Sequence, residues 1–298
     1  MSVSIATLPT PYPTRVSTEP VVIPRTDPVV WGDGRGGPLT TSDLAAYERD
    51  GFLSLEELVD DDDLVRLRRE VDRLLATAEP GDERIIAERG SDHIRSIFEV
   101  HRRSDVFADL AADPRLMKMA TQILGSDVYL HQSRLNLKPG FRGREFYWHS
   151  DFETWHAEDG MPRMRALSLS LSLTPNEVWN GSLLVIPGSH RHFVGCAGET
   201  PDDHYRSSLR AQEYGVPSDE ALAALVEAGG IETVTGEPGS AVVFDSNAMH
   251  GSNGNISPQA RTNVFFVYNS VENALVDPFA APAPRPEFIA SRTFEPLR

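Results

Sequence analysis

Two histidines and one aspartate in this sequence have the residue types and the spacing of metal ligands. His149 and Asp151 are separated by one residue in a strand-like segment, where alternate side chains project from the same face. His250 follows a second strand-like segment and offers a third ligand. Two imidazoles and one carboxylate on one face of a metal leave its other coordination positions open, which is the arrangement of non-haem Fe(II) oxygenases.

A His-X-Asp pair alone is weak support for a metal site, because an isolated histidine is more often a surface or core residue. Two neighbouring features strengthen it. Arg261 lies eleven residues after His250 on a predicted strand, where its guanidinium can bind a carboxylate bidentately. Polar residues also alternate along the strand that begins at Val128, and such a face lies against either solvent or an internal cavity. They are Gln132, Arg134, Asn136 and Lys138.

The elements that position these residues change type along the chain. Periodicity and capping residues predict helices at about 41–50, 61–78, 106–110 and 114–124. From Val128 onward the sequence alternates and is interrupted by Gly, Pro and Asn, which is typical of strands. Strands are predicted at 128–137, 144–150, 165–173, 182–186, 240–245 and 262–269, with a helical insertion at about 218–228. Many short strands without long intervening helices predict an antiparallel sandwich or barrel.

Composition excludes several classes of function. The 298-residue chain has 28 basic and 44 acidic residues, and its formal net charge of −16 disfavours binding to nucleic acid. No apolar run approaches the length of a membrane span, and a single cysteine, Cys196, excludes an internal disulfide. We therefore expect a cytoplasmic protein without membrane or nucleic-acid partners, in which a local cluster of cations binds any anionic ligand. Only two of the basic residues are lysines, Lys118 and Lys138.

Residues 1–38 are rich in proline and lack hydrophobic periodicity. They are predicted to form an extended arm that packs on the surface of the protein or on a second subunit. Gly32, Gly34 and Gly37 match the spacing of a dinucleotide-binding turn. No strand precedes them and Pro38 follows, so we interpret this segment as an ordinary turn.

The sequence from Phe146 to Pro162 closely follows the signature of a known family. Together with 180–182, 187–190 and the segment from His250 to Asn269, it resembles the Fe(II)/2-oxoglutarate dioxygenases of the phytanoyl-CoA dioxygenase superfamily, and within them the ectoine hydroxylases. The resemblance covers roughly residues 40–280. It implies a mainly β fold with flanking helices, built on a double-stranded β-helix, the jelly-roll core of cupin-like proteins. Residues 39–298 would form a single dioxygenase domain, with a helical part at 39–127 and the jelly-roll core at about 128–280.

The resemblance also implies a role for each candidate site residue. His149, Asp151 and His250 are expected to bind Fe(II). Arg261 is expected to pair with the distal carboxylate of the cosubstrate 2-oxoglutarate. The residues expected to assist it are Lys138, Asn136, Phe146, Ser252 and Asn263. Gln132 and Trp155 match positions that contact ectoine, and the likeness suggests a homodimer.

The reaction expected from this resemblance uses O₂ to hydroxylate ectoine to 5-hydroxyectoine, with release of succinate and CO₂. Related halogenating enzymes lack the metal-binding carboxylate, so Asp151 favours hydroxylation. Three alternatives remain open at this point. The same chemistry could act on another small amino-acid-like zwitterion such as proline, the triad could hold zinc in a hydrolase, or the jelly roll could be a non-catalytic binding protein. A zinc hydrolase would leave Arg261 and Lys138 without a purpose.

Overall fold

Seven strands form the larger of the two main antiparallel sheets in the computed structural model, which describes residues 10–79, 81–209 and 214–298 and also contains a separate two-stranded sheet. In order across the sheet they are β2 (Phe52–Leu55), β11 (Ala241–Asp245), β7 (Ala166–Ser172), β13 (Arg261–Ser270), β5 (Val128–Lys138), β4 (Ile94–Phe98) and β3 (Ile85–Ala87). The longest pairing joins β13 to β5, with Arg261 opposite Lys138 and Asn263 opposite Asn136. This register places the polar residues of two strands side by side.

Four short strands form the smaller sheet, which packs on the larger one. Their order is β10 (Glu232–Val234), β8 (Leu183–Val185), β12 (His250–Ser252) and β6 (Phe146–His149). An apolar cluster that includes Val185 and Val234 of the smaller sheet and Val242 and Phe265 of the larger sheet joins the two. The sheets therefore form a sandwich, and burial of such side chains stabilises it by roughly 1.5–3 kcal/mol each.

Helices cover the outer face of the larger sheet. The eight α-helices within the described residues are α1 (Thr41–Asp50), α2 (Asp61–Ala76), α3 (Val100–Arg103), α4 (Asp105–Ala111), α5 (Pro114–Leu124), α6 (Asp151–Thr154), α7 (Tyr205–Ser208) and α8 (Asp219–Gly229). Asp60 caps α2, as its sequence predicts, and Gly125 ends α5 in the left-handed conformation. No helix in the described part of the chain is both long and apolar enough to cross a membrane.

Strand alternation divides the residues of β5 between two environments. Leu135 and Leu137 belong to the apolar core beneath the helices, whereas Arg134 and Asn136 line a cavity between the sheets. The polar face that the sequence left open between solvent and cavity therefore lies on the cavity. Because the period of a strand is two residues, one strand supplies both the core and the site.

The six predicted strands and the longer predicted helices are present, with ends shifted by at most two residues. The segment 39–127 is less helical than expected, because β2, β3 and β4 lie within it and extend the larger sheet. These strands are three to five residues long and have no clear alternation. β2 and β4 pair with strands distant in sequence, β11 and β5, and β3 joins the sheet through β4, so local patterns do not reveal them.

The described part of the proline-rich arm packs on the same chain. Tyr12 is fully buried, and β1 (Val21–Pro24) pairs with β9 (His192–Gly195). Residues 1–9 of the predicted arm lie outside the described residues. At the other end of the chain, the backbone amides of Ser291 and Leu297 donate to the carbonyls of His131 and Val128, so the tail covers the start of β5.

Candidate metal centre and adjoining cavity

The three predicted metal ligands meet where β6 and β12 pair. His149 lies directly opposite His250, with ring centroids 4.3 Å apart. Asp151 is the first residue of α6, after the cap Ser150, so strand alternation does not place it as the sequence analysis expected. The turn from β6 into α6 nevertheless brings one donor atom from each of the three residues within 4.8 Å of the others.

Backbone carbonyls fix both imidazole rings. The carbonyl of Tyr147 lies 2.7 Å from Nδ1 of His149, and the carbonyl of Ala248 lies 3.0 Å from Nδ1 of His250. A carbonyl can only accept, so Nδ1 carries the proton in each ring and Nε2 keeps its lone pair. Burial and the neighbouring His250 lower the pKa of His149 to about 4. The ring is therefore neutral near pH 7, as a metal ligand must be.

A hydroxyl group orients the carboxylate. Ser168 on β7 donates from Oγ to Oδ2 of Asp151 across 3.1 Å, while Oδ1 lies 3.9 Å from Nε2 of His149. One oxygen is thus held by the larger sheet and the other faces the imidazoles. Such outer hydrogen bonds set the direction of a ligand and its affinity for the metal. The donor set of two neutral imidazoles and one oriented carboxylate suits Fe(II) with open positions.

Lys138 and Arg261 form a pair of buried cations beside this centre. They are 1% and 3% exposed, and within the described residues neither has a carboxylate at ion-pair distance. Burial and the Arg261 guanidinium lower the pKa of Lys138 to about 6, and burial lowers the pKa of Arg261 to about 10. Buried charges are normally paired. The arrangement is therefore suited to an anionic ligand that supplies the missing charge.

The other predicted cosubstrate residues surround these cations. Ser252 accepts a hydrogen bond from Nζ of Lys138 across 2.8 Å. The side-chain carbonyls of Asn136 and Asn263 are buried without a hydrogen-bond partner. Phe146 lies beneath the guanidinium of Arg95 at 3.6 Å. The structure thus brings all six predicted residues to one region, with hydrogen-bonding capacity left for a ligand.

A cavity of about 780 Å³, counting the part open to solvent, connects the metal centre with the predicted substrate residues. Gln132, Trp155, Asn136, Phe146 and Ser252 line it together with the triad. Lys138, Arg261 and Asn263 are not among the lining side chains, and Lys138 reaches the lining through Ser252.

Several cavity residues were not predicted from the sequence. They include Arg134, Thr154, Glu158, Phe265 and Arg285. The polar alternation of β5 singled out Arg134 without assigning it a role. No local pattern marks Glu158 or Arg285, because the tail carries Arg285 to the cavity from more than a hundred residues away in sequence.

Trp155 is placed by a turn of π-helix. The segment Trp155–Asp159 is π-helical and ends at Gly160, whose φ of 78° is left-handed. A Cβ at Gly160 would lie 2.1 Å from the carbonyl oxygen of Val276, so only glycine fits. Turns of π-helix are frequent at functional sites. Here the turn presents the nearly buried indole of Trp155 to the cavity.

Other conspicuous side chains have structural partners. His156 is fully buried, and its ring lies within hydrogen-bond distance of Thr10 and the carbonyl of Met161. His190 is buried near the carbonyl of Glu48. Burial raises the pKa of the Cys196 thiol, which makes it unreactive. Within the described residues only His149, Asp151 and His250 form a cluster able to hold a metal.

Comparisons with known proteins agree with this geometry. Residues 47–263 match the family described as phytanoyl-CoA dioxygenase (PhyH). The chain is 55% identical over 289 residues to an ectoine dioxygenase of Streptomyces anulatus, covering 96% of this chain and 97% of that protein. The ectoine dioxygenase of Bordetella bronchiseptica is also 55% identical, and the match covers 95% of this chain and 92% of that protein.

Solved structures give the same result. A crystal structure of EctD from S. alaskensis with 2-oxoglutarate and 5-hydroxyectoine is 48% identical, with a TM-score of 0.85 and coverage of 95% of both chains. A structure of EctD from the same organism with bound Fe has a TM-score of 0.86, 46% identity and coverage of 97% and 98%. These neighbours confirm the predicted jelly-roll oxygenase fold. The chain belongs to the phytanoyl-CoA dioxygenase family and, at this identity over nearly its whole length, to the ectoine dioxygenases within it.

Proposed function

We propose that this protein hydroxylates ectoine to 5-hydroxyectoine, using O₂ and 2-oxoglutarate and releasing succinate and CO₂. The observation that carries the proposal is a pair of buried basic residues, Lys138 and Arg261, which have no carboxylate partner among the described residues and lie beside a His-Asp-His centre. A dianionic keto acid satisfies both features at once. The relatives named ectoine dioxygenase and the EctD complex with 2-oxoglutarate and 5-hydroxyectoine support the same reaction.

His149, Asp151 and His250 would hold Fe(II). Their donor atoms are already directed toward one another, so binding needs little rearrangement. When bound, the iron supplies O₂ activation coupled to oxidative decarboxylation of 2-oxoglutarate, which no side chain can provide. The protein contributes the ligand geometry, through the two backbone carbonyls and Ser168.

Arg261 and Lys138 would bind the distal carboxylate of 2-oxoglutarate. The guanidinium can donate two parallel hydrogen bonds, and the ammonium adds a point charge held by Ser252. Asn136 and Asn263 border this region with amide oxygens that accept hydrogen bonds and do not bind a carboxylate directly, and Phe146 offers an apolar wall. Because the site is buried, each charge-assisted hydrogen bond is stronger than it would be in water.

The substrate would bind between Gln132, Trp155 and Arg134. The side-chain amide of Gln132 donates one hydrogen bond to the carbonyl of Ile289, which leaves its oxygen and second hydrogen for a ligand. Trp155 offers an aromatic face for a delocalised cation. Nε of Arg134 is buried without a hydrogen-bond partner, so its guanidinium suits the carboxylate of ectoine.

Two further properties predicted from the sequence belong to this proposal. We expect a homodimer, which light scattering of the purified protein would detect as twice the 32.9 kDa chain mass. We also expect a cytoplasmic location, which cell fractionation would test. Neither bears on the chemistry of the cavity.

Turnover assays with a panel of substrates test the proposed reaction. The iron-loaded protein is incubated with 2-oxoglutarate and ectoine, proline or no substrate, and products are identified by mass spectrometry. We expect ectoine to gain one oxygen while equimolar succinate forms. Hydroxylation of proline but not of ectoine would support the proposed dioxygenase reaction and show that the proposed substrate is wrong. Ectoine-ring hydrolysis with Zn²⁺ and without 2-oxoglutarate would replace the proposal with a hydrolase.

A further inference from the structure

Three carboxylates are buried next to the metal-binding turn. Glu153 and Glu158 are each 1% exposed, and Asp159 is fully buried. Arg15 from the arm pairs with both glutamates, with Nη2 2.7 Å from Oε2 of Glu153 and Nη1 2.5 Å from Oε1 of Glu158. Arg285 from the tail pairs bidentately with Asp159, at 2.5 and 2.8 Å.

The charges of this cluster do not balance. Two guanidinium groups face three carboxylates, and two histidines also contact the acids. His204 lies 2.9 Å from Oε1 of Glu158, and His131 lies 3.4 Å from Oδ2 of Asp159. Among the described residues, the carboxylates of the cluster thus outnumber its guanidinium groups by one. A buried charge of this kind calls for a cationic partner.

Glu158 is the member of the cluster that can offer this charge to a ligand. It lines the cavity, whereas Glu153 and Asp159 do not. Its Oε1 already has Arg15 and His204 as partners, but its Oε2 is buried without a hydrogen bond. Nε of Arg285 lies 3.5 Å from Oε2, beyond a good hydrogen bond for a group committed to Asp159.

The remainder of the site has the opposite charge. Arg134, Lys138 and Arg261 have no carboxylate at ion-pair distance within the described part of the chain. These basic side chains suit the distal carboxylate of 2-oxoglutarate and the carboxylate of a substrate. Among the described residues, the cavity therefore has a cationic region for acids and, besides the metal ligand Asp151, one lining carboxylate with an unpartnered oxygen, Glu158.

We propose that Glu158 binds the cationic ring of the substrate, with N–H groups of the amidinium donating to Oε2. This inference rests on the proposed function and adds to it the residue that selects a zwitterion over a neutral-ring acid. Ectoine carries a carboxylate and a delocalised cation, so Arg134 and Glu158 would recognise its two ends. Arg15 acts as a positioning residue, because it binds Oε1, while Oε2 has no hydrogen-bond partner among the described residues.

Equilibrium binding to Glu158→Gln tests the inference without depending on turnover. Calorimetry under nitrogen, with iron and 2-oxoglutarate present, measures the affinity for ectoine and for a six-membered ring carboxylate that lacks the amidinium. We expect about a tenfold to hundredfold loss of ectoine affinity. Affinity for the neutral-ring acid and for 2-oxoglutarate should stay within about twofold of wild type, which also reports that the variant is folded.

Glu153→Gln is the matched control, because Glu153 pairs with the same arginine but does not line the cavity. It should leave ectoine affinity within about twofold of wild type. If Glu158→Gln does not fold, Glu158→Asp keeps the charge, withdraws the carboxylate and should cause a smaller selective loss. Equal losses for ectoine and the neutral-ring acid, or unchanged ectoine affinity, would overturn the inference alone. Absence of ectoine binding by the wild type would overturn the proposed function and this inference with it.

Discussion

Lys138 and Arg261 lie directly opposite each other on β5 and β13, so two basic side chains occupy one buried register position. A pair of like charges in the interior is unfavourable unless a ligand neutralises it. The fold therefore maintains an electrostatically unsatisfied region beside the metal centre. This is the physical basis for expecting a dianionic cosubstrate.

Removing either cation should weaken 2-oxoglutarate binding. Arg261→Ala is expected to cost about 2–5 kcal/mol, because a buried bidentate pair is lost. Lys138→Ala should act in the same direction, and both effects would be measured as the KM for 2-oxoglutarate. Lys118 is the only other lysine and is exposed, so Lys118→Ala is the control. Normal 2-oxoglutarate binding in both site variants, with loss of ectoine binding, would mean that the two subsites are reversed.

Binding of 2-oxoglutarate should take up a proton near pH 7.5. The pKa of Lys138 in the free protein is lowered to about 6, so its amine is mostly neutral there. An arriving dianion favours the ammonium and raises this pKa, so affinity should fall by up to about tenfold per pH unit above pH 6. Calorimetry in buffers of different ionisation enthalpy measures the uptake. Lys138→Arg stays protonated and should bind without it, whereas equal uptake in that variant would assign the proton to another group.

The triad should bind Fe(II), and Ser168 should tune it. Alanine at His149, Asp151 or His250 is expected to abolish hydroxylation, since each supplies one of three protein ligands. Ser168→Ala should weaken Fe(II) affinity about 10–100-fold by releasing Oδ2 of Asp151. Ser172→Ala, on the same strand, is the control, because Ser172 bonds Asn176 instead. Full activity of Asp151→Ala would contradict the assignment.

Trp155 should matter for the substrate and not for the keto acid. A cation–π contact in a partly desolvated pocket is worth roughly 1–2 kcal/mol, so Trp155→Ala should lower kcat/KM for ectoine about tenfold. Trp155→Phe should recover part of this loss. Trp179 is mostly exposed and lies outside the cavity lining, so Trp179→Ala is the control. A larger change in the KM for 2-oxoglutarate than for ectoine would show that Trp155 serves the other subsite.

Arg15 should stabilise the turn that carries Asp151 and Trp155. Arg15→Gln leaves Glu153 and Glu158 buried without their arm cation, which is expected to cost about 3–5 kcal/mol of unfolding free energy. Fe(II) affinity should fall as well, because the turn loosens. Arg66 forms a surface pair with Asp63, and Arg66→Gln should cost about 0–1 kcal/mol in the same urea titration. Equal free energies of unfolding for the two variants would show that Arg15 does not stabilise this turn.

The sequence predicts the parts of the structure that depend on local patterns. Capping residues and periodicity locate α1 and α5, and alternation locates β5 and the cavity face of Asn136. The short strands β3 and β10 are not predicted. β10 pairs with β8, which is distant in sequence, and β3 is only three residues long and pairs with the equally unpredicted β4.

The site residues also divide into those that local sequence predicts and those that only the tertiary structure brings together. His149 and Asp151 are close in sequence, and the family signature includes them, so the metal centre is predictable. Arg15 and Arg285 reach the cavity region from opposite ends of the chain, and only tertiary structure brings them to Glu158 and Asp159. The acidic cluster could therefore not be found from sequence patterns, because no local pattern distinguishes its charged residues from others.

Oxygen-isotope labelling tests the central claim most directly. The iron-loaded enzyme would be supplied with ¹⁸O₂, 2-oxoglutarate and ectoine, and both products analysed by mass spectrometry. The account predicts labelled oxygen in 5-hydroxyectoine and in succinate, formed in equal amounts, with both lost in His250→Ala. Unlabelled hydroxyectoine, or succinate formed at the same rate whether or not ectoine is present, would contradict it.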